Sequence, residues 1–212
     1  MRNYETFVNI SFSQGSIILD PGIVGNYSKR HRQELARGIC GFFSVEWLSL
    51  LCWSGMSLTM ATERLYQDVE IKKQLVGNAV YHNAKRFTGN DRDFTELFDD
   101  VYQRFIYSDL YSNITNPSAL LYELTRALME ASCVVLTLRL RNGGEHMVAV
   151  GRAYGMTGIF DPNVGLINLQ NNSGFDGEIL NAMFRYYDVM VVDVDILQRT
   201  ALIPAPHTVI RH

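Results

Sequence analysis

Residues 40–53 constrain the fold more than any other stretch. They are apolar almost throughout, and no proline interrupts them. Strands seldom run this long, so the segment is predicted to be a buried helix, with Gly38 just upstream permitting a tight entry turn. Helical spacing continues downstream. Leu65, Val69, Leu75 or Val76, and Ala79 or Val80 fall on one stripe over residues 62–83. Phe94, Leu97, Phe98, Val101 and Phe105 make an i, i+3, i+4, i+7 pattern over residues 93–105. Asn116 and Pro117 then read as the N-cap and first turn of a further helix carrying Leu120, Leu121, Leu124 and Leu128.

At Cys133 the period changes from helical to alternating. Residues 133–140 and 146–154 read as two strands joined by Arg141-Asn142-Gly143-Gly144, a hairpin turn. Residues 157–160, 164–169 and 189–194 are three more strands, with a helix over 173–187. Helices first and an antiparallel sheet afterwards give an α+β class. The first 37 residues alternate loosely between turn signals at Gln14-Gly15, Asp20-Pro21-Gly22 and Gly25-Asn26. Residues 7–12 and 16–19 within them read as short strands. The expected division is an N-terminal arm, pro-segment or lid over 1–37 and a catalytic domain over 38–212.

The remaining properties narrow the class. The 212 residues suffice for one domain with a real core, and 47% hydrophobic against 19% charged is ordinary globular composition. The net charge of −3, with no longer basic run than Lys29-Arg30-His31-Arg32, argues against nucleic-acid binding. No stretch of about 18 apolar residues predicts a membrane span. The start, Met1-Arg2-Asn3-Tyr4-Glu5, lacks the layout of a Sec signal. Three cysteines far apart do not read as a disulfide framework, which points to a reducing compartment. Cys52 and Cys133 are expected as core residues, as are Trp47 and Trp53. Asp193 and Asp195, alternating with valine, are expected as an outward row, and Asp99-Asp100 as a solvated helix face. His31, His82, His207 and His212 show no ligand spacing, so neither a metal nor a cofactor is expected.

Three residues in context carry chemistry. Cys40 opens the apolar helix, where the positive helix end stabilises a thiolate and free backbone N–H groups can hold an oxyanion. Gly38 and Gly41 leave room for substrate to approach. Taken alone, such a cysteine is more often a small buried hydrophobe. His146 opens a strand after a hairpin turn, sharing a face with Val148 and Val150; this suits a base anchored by the sheet and reachable from a cleft. Asp161 ends the next strand before Pro162-Asn163, placed to accept the histidine N–H and fix its tautomer. Taken alone, Asp-Pro-Asn is a common turn. The separation of 161 − 146 = 15 residues fits neighbouring strands joined by one turn. Together the three predict a nucleophile, a general base and an orienter.

Gly38-Ile39-Cys40 with Ser44 and Trp47, then His146 before small apolar residues, then Phe160-Asp161-Pro162-Asn163 and Gly165, resemble the YopT/AvrPphB-type cysteine proteases. These are papain-fold effectors that bacteria deliver into host cells. The resemblance runs over about residues 38–195, with the matching letters in three blocks. It implies a papain-like α+β fold, acyl chemistry on a host protein, and delivery to the host cytoplasm by a specialised secretion system. Papain-like enzymes usually place Gln or Asn a few residues before the nucleophile to help the oxyanion. Here Gln33 lies seven residues upstream and the nearer polar residue is Glu34, so Gln33 and the Gly41 backbone are the oxyanion candidates. A glutamine deamidase or transglutaminase-like enzyme on the same scaffold, an NlpC-type peptidoglycan amidase and a silent binding module are the alternatives.

Overall fold

The computed structural model describes residues 3–35, 39–86, 105–169 and 177–199. The chain opens with a 3₁₀ turn, Tyr4–Phe7, and a two-residue strand β1, Ile10–Ser11. Helices α1 (Gln14–Leu19), α2 (Pro21–Val24), α3 (Lys29–Leu35), α4 (Ile39–Cys52), α5 (Leu58–Gln67) and α6 (Val69–Arg86) follow. Then come β2 (Phe105–Ile114), α7 (Pro117–Glu130), β3 (Cys133–Leu140), β4 (Glu145–Ala153), β5 (Met156–Asp161), β6 (Gly165–Leu169), α8 (Gly177–Tyr186) and β7 (Val189–Arg199). The described strands form one antiparallel sheet in the order β1-β6-β5-β4-β3-β7-β2.

Helix α4 has almost no polar face, and twelve of its fourteen residues are buried. It needs apolar cover on several sides. The sheet supplies one side: Phe43 and Trp47 share a core with Val135, Met147, Ala149 and Phe160, and Trp47 stacks on Phe160 with centroids 5.3 Å apart. Helices α5 and α6 cover another. The opposite sheet face carries Val134, Leu136, Val148, Val150, Ile159 and Val194 against Leu120 and Leu124 of α7 and Leu180 and Met183 of α8. Strands β3 and β4 are therefore apolar on both faces over most of their length, as strands covered by helices on each side must be. Helix α4 approaches the sheet closely at Gly151, where an added Cβ would meet Leu51 and Trp47.

Several expectations need correction. Residues 16–19 belong to helix α1, because Ser13 caps it by accepting from Ser16 N–H. Of residues 7–12 only Ile10–Ser11 is strand. The stripe over 62–83 is two helices. Asp68 ends α5, and its carboxylate accepts from Glu70 and Ile71 N–H to start α6. Phe105 begins strand β2 rather than ending a helix. The rest of the 93–105 stripe, with Asp99-Asp100, lies outside the described residues. Asp195 is buried and Asp193 is half-buried, ion-paired to Arg139 at 2.6 Å, so the two do not make a solvated row. Cys52 and Cys133 are joined in a disulfide, which brings the end of α4 to the start of β3. Cys40 is the free cysteine. Among the described residues no helix is long and apolar enough to cross a membrane.

Candidate active site

The three predicted residues meet at one end of the sheet. Cys40 is the second residue of α4, so its own N–H and that of Gly41 lie in the first turn, where no carbonyl of the same helix reaches them. His146 is the second residue of β4, and Asp161 the last of β5. The β4–β5 register pairs Ala149 with Phe160, which sets Asp161 level with Val148 and two residues from His146 on the same face. Such diagonal neighbours lie within reach of long or aromatic side chains. Ser44, one turn along α4, donates its hydroxyl to the Met147 carbonyl at 3.2 Å and ties the nucleophile's helix to the histidine's strand.

His146 Nε2 lies 2.9 Å from Asp161 Oδ1, with both residues buried. The Cys40 thiol lies close enough to the imidazole for each to shift the other's pKa, and with Nε2 on Asp161, Nδ1 is the nitrogen left for sulfur. Cys40 is buried, with 8% of its residue surface open to solvent. Asp161 is fully buried and well supplied with donors. Oδ1 also accepts from Asn163 N–H at 2.9 Å, and Oδ2 accepts from the Tyr187 hydroxyl at 2.8 Å. Tyr4 is buried beside the same carboxylate, its hydroxyl without a hydrogen bond of good geometry. The N-terminal segment grips the Asp161 turn. Gln14 N–H donates to Pro162 O at 2.7 Å, its side chain donates to Asn163 Oδ1 at 2.6 Å, and Phe12 N–H donates to Val164 O at 3.1 Å.

Electrostatics favour an ion pair. Burial opposes charge on Cys40, yet the hydrogen bond and charge of His146, helped by the backbone of Met147 and Gly41, bring the thiol below its ordinary value. Burial likewise disfavours the imidazolium. The Asp161 charge and hydrogen bond, followed by those of Cys40, outweigh it and push His146 up to about 10. A thiolate facing an imidazolium is the charge state that attacks carbonyl carbon.

Of the two oxyanion candidates, Gly41 lies beside the sulfur, its backbone N–H turned toward it. Gln33 is in α3, and its side chain lies outside those described. No group of three or more His, Cys, Asp or Glu suited to a metal occurs among the described residues. Sequence reading missed Tyr187, Tyr4 and Gln14. A tyrosine at the α8–β7 junction carries no local signal of the carboxylate it reaches 26 residues upstream.

No family model matches the chain, and no curated protein matches it by sequence. Among solved structures, it is similar to the crystal structure of the Pseudomonas avirulence protein AvrPphB. The TM-score is 0.55 and the identity 19%, over 77% of this chain and 93% of that one. The chain has the mixed helical and antiparallel-sheet fold of that protein, a papain-like α+β fold.

Proposed function

We propose that this protein is a papain-like thiol hydrolase of the effector type that cleaves a host protein, with Cys40 as nucleophile, His146 as base and acid, and Asp161 as orienter. The observation that carries this is the buried Nε2–Oδ1 bond of 2.9 Å on one edge of an imidazole whose other edge meets the thiol. The likeness to an avirulence protein supports the effector reading and a route into a host cell through a specialised secretion system.

The Cys40 thiolate attacks the scissile carbonyl, and the oxyanion settles on the N–H groups that open α4. As the C–N bond breaks, the imidazolium gives its proton to the leaving amine, leaving a thioester on Cys40. Neutral His146 then takes a proton from water, whose oxygen attacks the thioester. The adduct collapses, the sulfur leaves as thiolate and the acid is released, while His146 keeps the proton and the ion pair is restored. Asp161 holds Nε2–H throughout, so Nδ1 always faces sulfur. Residues 38–212 form the catalytic unit in this reading. Residues 1–37 serve it as an arm, because Phe12 and Gln14 bond the turn that carries Asp161.

The test compares wild type with Cys40→Ala on host lysate by proteome-wide mass spectrometry of new peptide termini. New termini from wild type alone are expected. Equal cleavage by Cys40→Ala overturns the assignment. A substrate that instead gains about one mass unit without cleavage identifies glutamine deamidation by the same acyl-enzyme chemistry.

A further inference from the structure

We propose that Tyr187 is a positioning residue for this site: its hydroxyl fixes the plane of the Asp161 carboxylate, and its ring closes the His146–Asp161 pair from water. The inference rests on the catalytic reading of Cys40, His146 and Asp161. Asp161 Oδ1 is occupied by His146 and by Asn163 N–H. Both of those bonds fall on one oxygen, so only they resist a turn of the carboxyl about Cβ–Cγ from that side. The Tyr187 hydroxyl donates to Oδ2 at 2.8 Å and adds a bond on the opposite oxygen that opposes the same turn. The Tyr187 ring lies 4.6 Å from the imidazole at a 34° tilt, and it is walled in turn by Tyr186 at 4.8 Å and Tyr4 at 6.1 Å. Behind this wall His146 and Asp161 retain 4% and 0% of their surface.

Local structure sets the tyrosine in place. Its N–H still bonds Met183 O at 3.1 Å, as a last turn of α8. Asp188 then adopts φ 49° and turns the chain sharply into β7. Arg141, in the β3–β4 hairpin, holds that turn, its N–H donating to Asp188 O at 3.0 Å and its Nε to Oδ1 at 3.3 Å. The hairpin that leads into His146 thus also anchors the residue that orients its partner.

Removing the hydroxyl in Tyr187→Phe separates two roles by sign. If the carboxylate stayed fixed, losing the O–H dipole would leave Asp161 more negative and raise the His146 pKa. If the hydroxyl positions the carboxylate, its release weakens the Nε2–Oδ1 bond, and the pKa falls. The experiment follows His146 by NMR titration of the ¹⁵N-histidine-labelled full chain, with the resonance assigned by its loss in His146→Gln. The pH profile of iodoacetamide alkylation at Cys40 and a thermal scan accompany it. For Tyr187→Phe a fall of about one pKa unit is expected, about a tenfold loss of imidazolium preference, with the Cys40 alkylation step moving up in pH. An unchanged or raised His146 pKa overturns the proposal, and so does a Tyr187→Phe chain that fails to fold, which would assign the residue to stability alone. A wild type whose His146 is not raised and whose Cys40 is not lowered from their ordinary pKa values would overturn the catalytic reading, and this inference with it.

Discussion

Replacing Cys40 with Ala should make stability depend on pH in a window where the wild-type fold holds level. The argument is a count of protons. In the proposed ion pair, His146 holds one proton near neutrality and Cys40 none, the charge state that the raised imidazole and the lowered thiol both favour. In the unfolded chain the imidazole loses its proton near about pH 6.5, while the thiol keeps its own to about pH 8.5. Each state then holds one proton, and equal numbers give no slope. Taken singly, the raised His146 contributes stability that is complete below about pH 6.5 and is lost as pH rises through about 10. The lowered Cys40 contributes stability that is present above its unfolded value and is lost as pH falls. Between the two unfolded values these trends cancel. Cys40→Ala deletes the second and leaves the first, because Asp161 raises His146 more than Cys40 does. The variant should then lose about 1 kcal/mol between about pH 7 and about pH 8, somewhat under the limiting slope of roughly 1.36 kcal/mol per unit. Urea unfolding followed by tryptophan fluorescence measures this, since Trp47 is fully buried. Other titrating groups are common to both proteins and drop out of the comparison. Parallel profiles for wild type and Cys40→Ala across that window would refute the ion pair, whichever residue kept its ordinary charge.

Asp161→Asn removes the strongest support for the imidazolium. Cys40 alkylation at about pH 6 should slow at least about tenfold, and an unaltered rate would separate Asp161 from the site. Gly151→Ala would set a Cβ 2.5 Å from Leu51 Cδ1 and 2.8 Å from Trp47 Cζ3. It should destabilise by about 1–3 kcal/mol in urea and slow Cys40 alkylation by shifting α4; a wild-type midpoint would show that the helix yields freely. Reducing the Cys52–Cys133 disulfide reopens an 81-residue span. It should lower stability by up to about 4.5 kcal/mol on the chain-entropy account. Cys40 alkylation should stay within about twofold, because Cys52 is twelve residues along the same helix, about 18 Å away. A large change in alkylation rate would tie the disulfide to the site.

Local signals carried much of this fold, and the misses share one physical character. The β3 bounds, the Asn116 cap and the hairpin at Gly143 are written in adjacent residues, and period and turn chemistry suffice to read them. The positions of Cys40, His146 and Asp161 were legible because each sits where a particular element begins or ends. Strand β2 was not anticipated: its pairing with β7 spans some eighty residues, and no periodicity encodes a partner so remote. Helix α1 defeated a strand reading through a single serine cap. Tyr187, Tyr4 and Gln14 were invisible for the reason β2 was. Their chemistry is the proximity of one carboxylate, and proximity across the chain leaves no mark on the residues beside them.

That contrast bears on how the site is built. His146 and Asp161 are fifteen residues apart on adjacent strands of the β3-β4-β5-β6 meander, so their hydrogen bond closes within one local unit. Cys40 comes from 106 residues before His146 (146 − 40) and from a helix on the other sheet face, docking by Ser44 on the Met147 carbonyl and by Trp47 and Leu51 against Gly151. His146 and Asp161 are therefore a pair that stands without Cys40. Deleting the thiol takes one hydrogen bond and one charge from His146, while the Asp161 bond, the Asn163 N–H and the Tyr187 hydroxyl remain as they were. For this reason the imidazole should stay protonated near neutral pH in Cys40→Ala. Its loss with Asp161→Asn follows from the same construction, because that change breaks the local pair itself.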